Sequence, residues 1–193
     1  MVKLIGPKKV RTSVFISGTG SNLKNLIKFS LKKKSPIEVN LIISNNSKAE
    51  GLRYAKIYKI KKRIYNNNRK TSEKSTLKDL QINNIKLICL AGFMKILSKN
   101  FIKKFRGKIL NIHPSLLPKY KGLKTHERVI KNKEKYSGCT VHLVNSKLDS
   151  GKIILQKKVK LSKKETSSSL QLKILKQEHI LYPKAIDKIF ANR

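Results

Sequence analysis

Short apolar runs at residues 11–17, 37–44, 87–91 and 108–112 constrain this chain most, because each is too short for a helix and each is followed by a turn. Residues 11–17 (RTSVFIS) are apolar and β-branched, the pattern of a strand covered on both faces. The glycine-rich turn Gly18-Thr19-Gly20 follows. A helix is then predicted from about Ser21 to Lys33, with Leu23, Leu26 and Ile27 on one face. Residues 37–44 read as a second strand. Ser47-Lys48-Ala49-Glu50 has the form of a capping box and is expected to open a second helix. A short edge strand is expected at 61–64, a helix near 72–81 and a buried strand at 87–91. Ser98 is expected to cap a helix through Phe105, and the strand from Lys108 to Ile112 ends at His113. Residues 136–144 and 152–160 read as a hairpin-like pair. A long helix starts near Thr166 and meets Pro183, which is expected to kink or restart it. Strands and helices alternate in this way when a mostly parallel sheet carries helices on both faces. The expected fold is one α/β domain, Rossmann-like, in two lobes, with no internal repeat and no obvious linker.

The chain has 193 residues, enough to build a full core, and a hydrophobic fraction of 39% that argues against disorder. No apolar stretch is long enough to span a bilayer. The basic segment Met1 to Arg11 lacks the apolar core and cleavage site of a secretory signal, so a cytoplasmic location is expected. Cys89 and Cys139 each lie in a strand-like run, with no CxxC spacing. They read as small buried hydrophobes, and no metal site is expected. The net charge of +36 invites a nucleic-acid reading. Against it, the lysines are spread along the whole chain, lysine outnumbers arginine, and aromatic residues are only 6%. Asn and Ile are enriched beside Lys, as in Leu41-Ile42-Ile43, which points to a compositional bias on every solvated face. No specific nucleic-acid partner and no membrane partner are expected. The charge would still steer small anionic substrates inward.

Three segments carry candidate chemistry. Ser17-Gly18-Thr19-Gly20-Ser21-Asn22-Leu23 joins a strand to a helix, where backbone N–H groups suit a phosphate. No Gly-Lys-Ser/Thr follows, and Leu23 replaces the third glycine of the dinucleotide fingerprint, so a single phosphate fits better. The same turn serves equally as an ordinary strand-to-helix reversal. In Asn111-Ile112-His113-Pro114-Ser115-Leu116-Leu117-Pro118, Asn111 and His113 alternate along a strand and leave the same face. They stand at the strand's C-terminal end, where open α/β sheets place ligands. An amide beside an imidazole suits the oxyanion formed when an amine attacks a carbonyl. Asp149, in Leu148-Asp149-Ser150-Gly151, is an ordinary turn aspartate unless the fold brings it beside His113. There it would hold the imidazolium and relay a proton.

Taken in order, these segments resemble the glycinamide ribonucleotide formyltransferases, the folate-dependent enzymes of purine synthesis. The first loop is similar to their phosphate loop. Ala91-Gly92-Phe93-Met94-Lys95-Ile96-Leu97 is similar to their folate-side strand and loop. Asn111 to Pro118 matches the formyltransferase signature. Ser137-Gly138-Cys139-Thr140-Val141-His142, Leu148 to Gly151, and Gln177-Glu178-His179 with Tyr182-Pro183 fit later segments. The series covers nearly the whole chain. It implies a single formyltransferase domain over 1–193, with a nucleotide-phosphate lobe at about 10–105 and a folate and catalytic lobe at about 106–193.

By this resemblance Asn111, His113 and Asp149 are the catalytic trio. Gly20, Ser21 and Asn22 would hold the nucleotide phosphate, and Glu178 would contact the glycinamide end. Met94, Lys95, Ile96 and Leu97, with Val144 and backbone near Asp149, would line the folate pocket. The implied reaction passes the formyl group of 10-formyltetrahydrofolate to the amine of glycinamide ribonucleotide, with no metal. A protonated His113, kept charged by Asp149, is expected to share the oxyanion with Asn111. The implied partners are small molecules, and a homodimer is allowed. Departures are Thr19 where Asn is frequent, Lys95 where Arg is common, Ser137 where some members have His, and about nine residues before the first strand, which carry no assigned role. Formyltetrahydrofolate hydrolases and methionyl-tRNA formyltransferases share the Asn-x-His core. Their extra N-terminal or C-terminal domains are not expected here.

Overall fold

The computed structural model describes residues 8–65 and 69–191. Most of the basic segment before the first strand, and part of the polar stretch at 66–68, lie outside the described residues. The strands are β1 (Val10–Ile16), β2 (Ile37–Ser44), β3 (Lys61–Ile64), β4 (Leu87–Leu90), β5 (Lys108–His113), β6 (Tyr136–Leu143) and β7 (Ile153–Lys160). The helices are α1 (Ser21–Ser30), α2 (Arg53–Ile57), α3 (Arg69–Ile82), α4 (Lys99–Lys104), α5 (Thr125–Lys131) and α6 (Ser167–Phe190). The seven strands form one sheet in the order β3-β2-β1-β4-β5-β6-β7. The pairs from β3 through β5 are parallel; β6 and β7 run antiparallel.

Strand alternation builds a core on each face. Val14 and Ile16 of β1, Cys89 of β4 and Leu110 of β5 pack with α1 and α6. Phe15, Ile88, Leu90 and Ile109 point the other way and pack with Leu80 of α3 and Phe101 of α4. The near-continuous apolar runs follow directly from this double burial. The parallel part of the sheet changes direction at β1, whose neighbours are β2 and β4. Ligands of open α/β sheets gather at the C-terminal ends of strands beside such a switch point.

Two sequence expectations are corrected. The Ser47-to-Glu50 box does not form: Ala49 stands at the helix entry with no side-chain cap, leading into a 3-10 turn at Glu50–Leu52. The local polar groups are taken by a tighter turn. The Asn46 amide oxygen accepts from Lys48 N–H at 2.9 Å, and Ser44 Oγ accepts from Asn46 N–H at 3.1 Å. Pro183, in turn, does not restart the last helix, which runs through it for 24 residues. Proline removes the N–H that would have met the His179 carbonyl. Asn25 Nδ2, from α1, donates to that carbonyl at 2.7 Å and satisfies it. A third element, α5, was not legible from periodicity, because its segment is short and polar.

The first loop is shaped by a close backbone approach that the sequence did not reveal. Gly20 adopts φ 73° at the start of α1. A Cβ on Gly51 would lie 2.9 Å from the Gly20 Cα and 2.7 Å from Ile16 Cδ1, so Gly51 is the floor beneath the loop. Gly51→Ala is expected to destabilise the fold by about 1–3 kcal/mol through overpacking and to push the loop outward. Denaturant unfolding with amide hydrogen exchange across residues 17–20 checks this, and unchanged values of both would contradict the floor role.

Candidate active site

The loop after β1 leads into α1 with open backbone donors. No side chain caps α1, and no acidic residue lies in its first turn. The N–H groups of Ser21, Asn22 and Leu23 are therefore first-turn donors with no partner inside the helix. Ser17 braces the loop: its hydroxyl donates to Asn45 Oδ1, and its oxygen accepts from Met94 N–H at 2.7 Å. The same contact ties the 91–97 loop to the loop after β1. Ser98 N–H donates to Glu73 at 2.8 Å and anchors the other end of the 91–97 loop. Met94 and Ile96 are exposed, each 64%, whereas Leu97 is buried in the core with Phe101. Lys95 is also exposed. Val144 is half-buried and donates its N–H to the Ile109 carbonyl at 2.8 Å. Of the expected folate-side residues, then, Met94, Lys95 and Ile96 are open to a ligand, and Leu97 supports them from within.

Asn111, His113 and Asp149 come together. The Asp149 carboxylate accepts from Gly122 N–H at 2.9 Å and from Asn111 Nδ2 at 3.3 Å, and it lies 3.4 Å from His113 Nδ1. Asp149 adopts φ 45°, the backbone reversal that swings its side chain back over β5. His113 Nε2 donates to the Tyr120 carbonyl at 2.8 Å. Both imidazole nitrogens thus face oxygen acceptors, which only the imidazolium satisfies in full.

Burial works against that charge. It pulls the His113 pKa below the ordinary imidazole value, and the Tyr120 carbonyl and Asp149 offset only part of the shift. Burial thus opposes the imidazolium expected from the sequence, while the Tyr120 carbonyl and Asp149 favour it. For Asp149, burial alone would raise the carboxyl. The His142 contact, the Gly122 N–H and the neighbouring imidazoles outweigh it and hold the carboxyl below its usual range.

His142 is the residue that sequence reasoning passed over. It is buried and pairs directly with Asn111 across β5 and β6. Its Nδ1 lies 2.8 Å from the Leu143 carbonyl, and its Nε2 lies 3.2 Å from Asn111 Nδ2 and 3.7 Å from Asp149 Oδ1. With Nδ1 donating to the Leu143 carbonyl, Nε2 accepts from the Asn111 amide. The antiparallel register of 108–113 with 136–143 was the signal that could have found it. The 115–119 turn is held by Thr140, whose hydroxyl donates to the Ser115 carbonyl at 2.6 Å and accepts from Leu117 N–H at 3.1 Å.

Glu178, on α6, meets Asn22 of the first loop, where Asn22 Nδ2 donates to its carboxylate at 2.7 Å. Burial pushes the Glu178 carboxyl up to about 7. Asn22 Oδ1 is buried without a partner. A protonated Glu178 would donate to that oxygen and complete a reciprocal pair. Among the described residues no cluster of His, Cys, Asp and Glu could hold a metal ion. Among them too, no helix is long and apolar enough to cross a membrane.

The formyl transferase family model matches residues 10–186, a span that holds every group above. The chain belongs to this family. Within the family, it is 39% identical to phosphoribosylglycinamide formyltransferase of Haemophilus influenzae, over 91% of this chain and 85% of that protein. The trifunctional purine biosynthetic protein adenosine-3 of Gallus gallus is 40% identical over 96% of this chain, which spans only 19% of that protein's length. The crystal structure of phosphoribosylglycinamide formyltransferase from Brucella melitensis superposes with a TM-score of 0.89 at 38% identity, covering 96% of this chain and 97% of that one. The family's sheet, with helices on both faces, is the architecture found here.

If the neutral His113 ring is the active form in the free protein, kcat/KM is lost as pH falls through its depressed pKa. The acid limb is then expected below the ordinary imidazole value of about 6.5. Asp149 raises the His113 pKa, so Asp149→Asn is expected to move the limb to still lower pH as well as reducing the plateau. A limb at or above the ordinary value would contradict the burial argument.

Proposed function

We propose that this chain transfers the formyl group of 10-formyltetrahydrofolate to the amine of glycinamide ribonucleotide, a step of purine biosynthesis. The Asn111–His113–Asp149 cluster at the C-terminal end of β5 carries the reading. The substrate phosphate would sit on the N–H groups of Ser21 and Asn22 beside Gly20, and Glu178 would take the glycinamide end. The exposed apolar Met94 and Ile96, with Lys95, fit the ring system of a folate, and Leu148 stands exposed beside Asp149. The residues before and after about 105 would then form the nucleotide and folate lobes.

In this mechanism the amine attacks the formyl carbon, forming a C–N bond and an oxyanion. Asn111 turns its amide from its two long contacts toward that oxygen. His113 Nε2 exchanges the Tyr120 carbonyl for the same oxygen; the carbonyl marks where an acceptor at 2.8 Å is welcome. As the oxyanion appears, the proton shed by the attacking amine is taken through Asp149 to His113 Nδ1, so the ring becomes charged and its attraction to Asp149 is stronger in the transition state than before it. That difference is what lowers a barrier. The same proton then leaves His113, directly or through a water, for the departing folate nitrogen. The C–N bond to folate then breaks, and the oxyanion collapses to the formamide. Alignment of two substrates supplies much of the remaining acceleration.

Folate absorbance, followed with and without glycinamide ribonucleotide, tests the proposal. Release that requires the nucleotide and is strongly reduced in Asp149→Asn is the expected result. Release to water alone would replace the reading with a hydrolase, and no release from folded protein would overturn it.

A further inference from the structure

Tyr182 is the largest fully buried side chain among the described residues, at 0% exposure, yet it carries a hydroxyl. It lies on α6, one turn beyond Glu178. Its oxygen sits 3.1 Å from the Leu90 carbonyl and 3.2 Å from the Leu110 carbonyl. Those residues belong to neighbouring strands, β4 and β5, whose pairing ends with Leu90 opposite Asn111. Beyond that rung β5 continues beside β6 alone, as Ile112 and His113 pair with Val141 and Thr140. The sheet therefore parts at Asn111, and the hydroxyl closes the last rung before the gap. One O–H proton is shared between two carbonyls, so both strand ends are gripped by one group.

The grip comes from behind the site. Leu110 and Tyr182 belong to the core on the α1 and α6 face, whereas Ile109 belongs to the opposite core. Asn111 shares the face of Ile109 by strand alternation, so its side chain points away from α6. The Leu110 carbonyl is the other half of the peptide bond to Asn111 N. Fixing that carbonyl fixes the plane from which the Asn111 amide projects. Burial pushes the Tyr182 pKa well above its ordinary value, which keeps the phenol protonated and able to donate.

We infer that Tyr182 is a positioning residue for Asn111, setting the end of β5 against the helix that carries Glu178. The inference rests on the reading of Asn111 as an oxyanion donor. Tyr182→Phe keeps the ring and removes the donor. A displacement of the Asn111 amide by a fraction of an ångström is expected to lower kcat about tenfold or more, with KM for both substrates within about twofold. In an Asn111→Ala background the same change is expected to cost nothing further in kcat, because its route to the chemistry is gone. Replacing Tyr182 with 4-aminophenylalanine restores a donor on the ring and is expected to recover most of kcat. Should Tyr182→Phe be marginal in fold, the comparison is made near 10 °C with saturating glycinamide ribonucleotide, which favours the folded state by mass action. A folded Tyr182→Phe enzyme with wild-type kcat, or a loss that multiplies in full with Asn111→Ala, overturns the inference even if Tm has fallen. An unimpaired Asn111→Ala enzyme is a separate result, and it removes the catalytic reading on which the inference stands.

Discussion

His113→Ala and Asn111→Ala are each expected to lower turnover by roughly 10²–10³-fold, the effect of removing one oxyanion donor. This corresponds to about 3–4 kcal/mol of transition-state stabilisation. Both losses fall on kcat, because the bonds to the oxyanion exist only once the amine has attacked. The Asn111 amide makes two long contacts, 3.2 and 3.3 Å, so its loss leaves little unsatisfied. Asp149 keeps the Gly122 N–H, and Thr125 Oγ1 remains 3.5 Å from the Tyr120 carbonyl when His113 is gone. The variants should therefore stay folded, which circular dichroism and unfolding midpoints check. The double variant is expected to be little worse than either single one, because the donors act on one oxygen. A folded His113→Ala enzyme with ordinary turnover would remove His113 from the chemistry. So would an effect confined to KM.

Most of the sheet was legible because its strands are buried on both faces and read as apolar runs. Runs such as 87–91 are broken only by a cysteine, and β5 ends where the apolar pattern gives way to Asn111 and His113. The grouping of Asn111 with His113 followed from strand alternation alone. Asp149 did not: it reaches His113 through a positive-φ turn 36 residues later in sequence, a contact that no local pattern encodes. His142 was hidden for the same reason, since its partner is set by the register between β5 and β6. Pro183 misled because its rule is local while its remedy is not. The carbonyl it frees is satisfied by Asn25, 154 residues away along the chain. Nor could the sequence show that burial opposes the charge on His113, because burial is invisible in a list of neighbours.

Glu178→Gln is expected to stabilise the free protein at pH 8 while weakening nucleotide binding. The Glu178 carboxyl is pushed up to about 7 by burial, whereas an exposed glutamate titrates at 4.5. Between those values the folded chain keeps a proton that the unfolded chain has released. Stability is therefore lost as pH rises through that window, and the loss is complete above it. At about 1.4 kcal/mol for each tenfold change, the charged carboxylate costs the fold roughly 3 kcal/mol at pH 8. A glutamine never takes that charge. Its oxygen accepts from Asn22 Nδ2 as the glutamate does, and its amide donates to the orphaned Asn22 Oδ1. The gain over the wild type should thus grow from little at pH 5 to its full size at pH 8, read as a difference in unfolding free energy. Equal stabilities across that range would mean that the carboxylate is charged without penalty and that Asn22 Oδ1 is satisfied in another way. If stability rises and KM for glycinamide ribonucleotide rises with it, the carboxylate is held for the substrate at the expense of the fold. If stability rises and KM does not, the buried Asn22–Glu178 pair belongs to the architecture, and the glycinamide end must be recognised elsewhere.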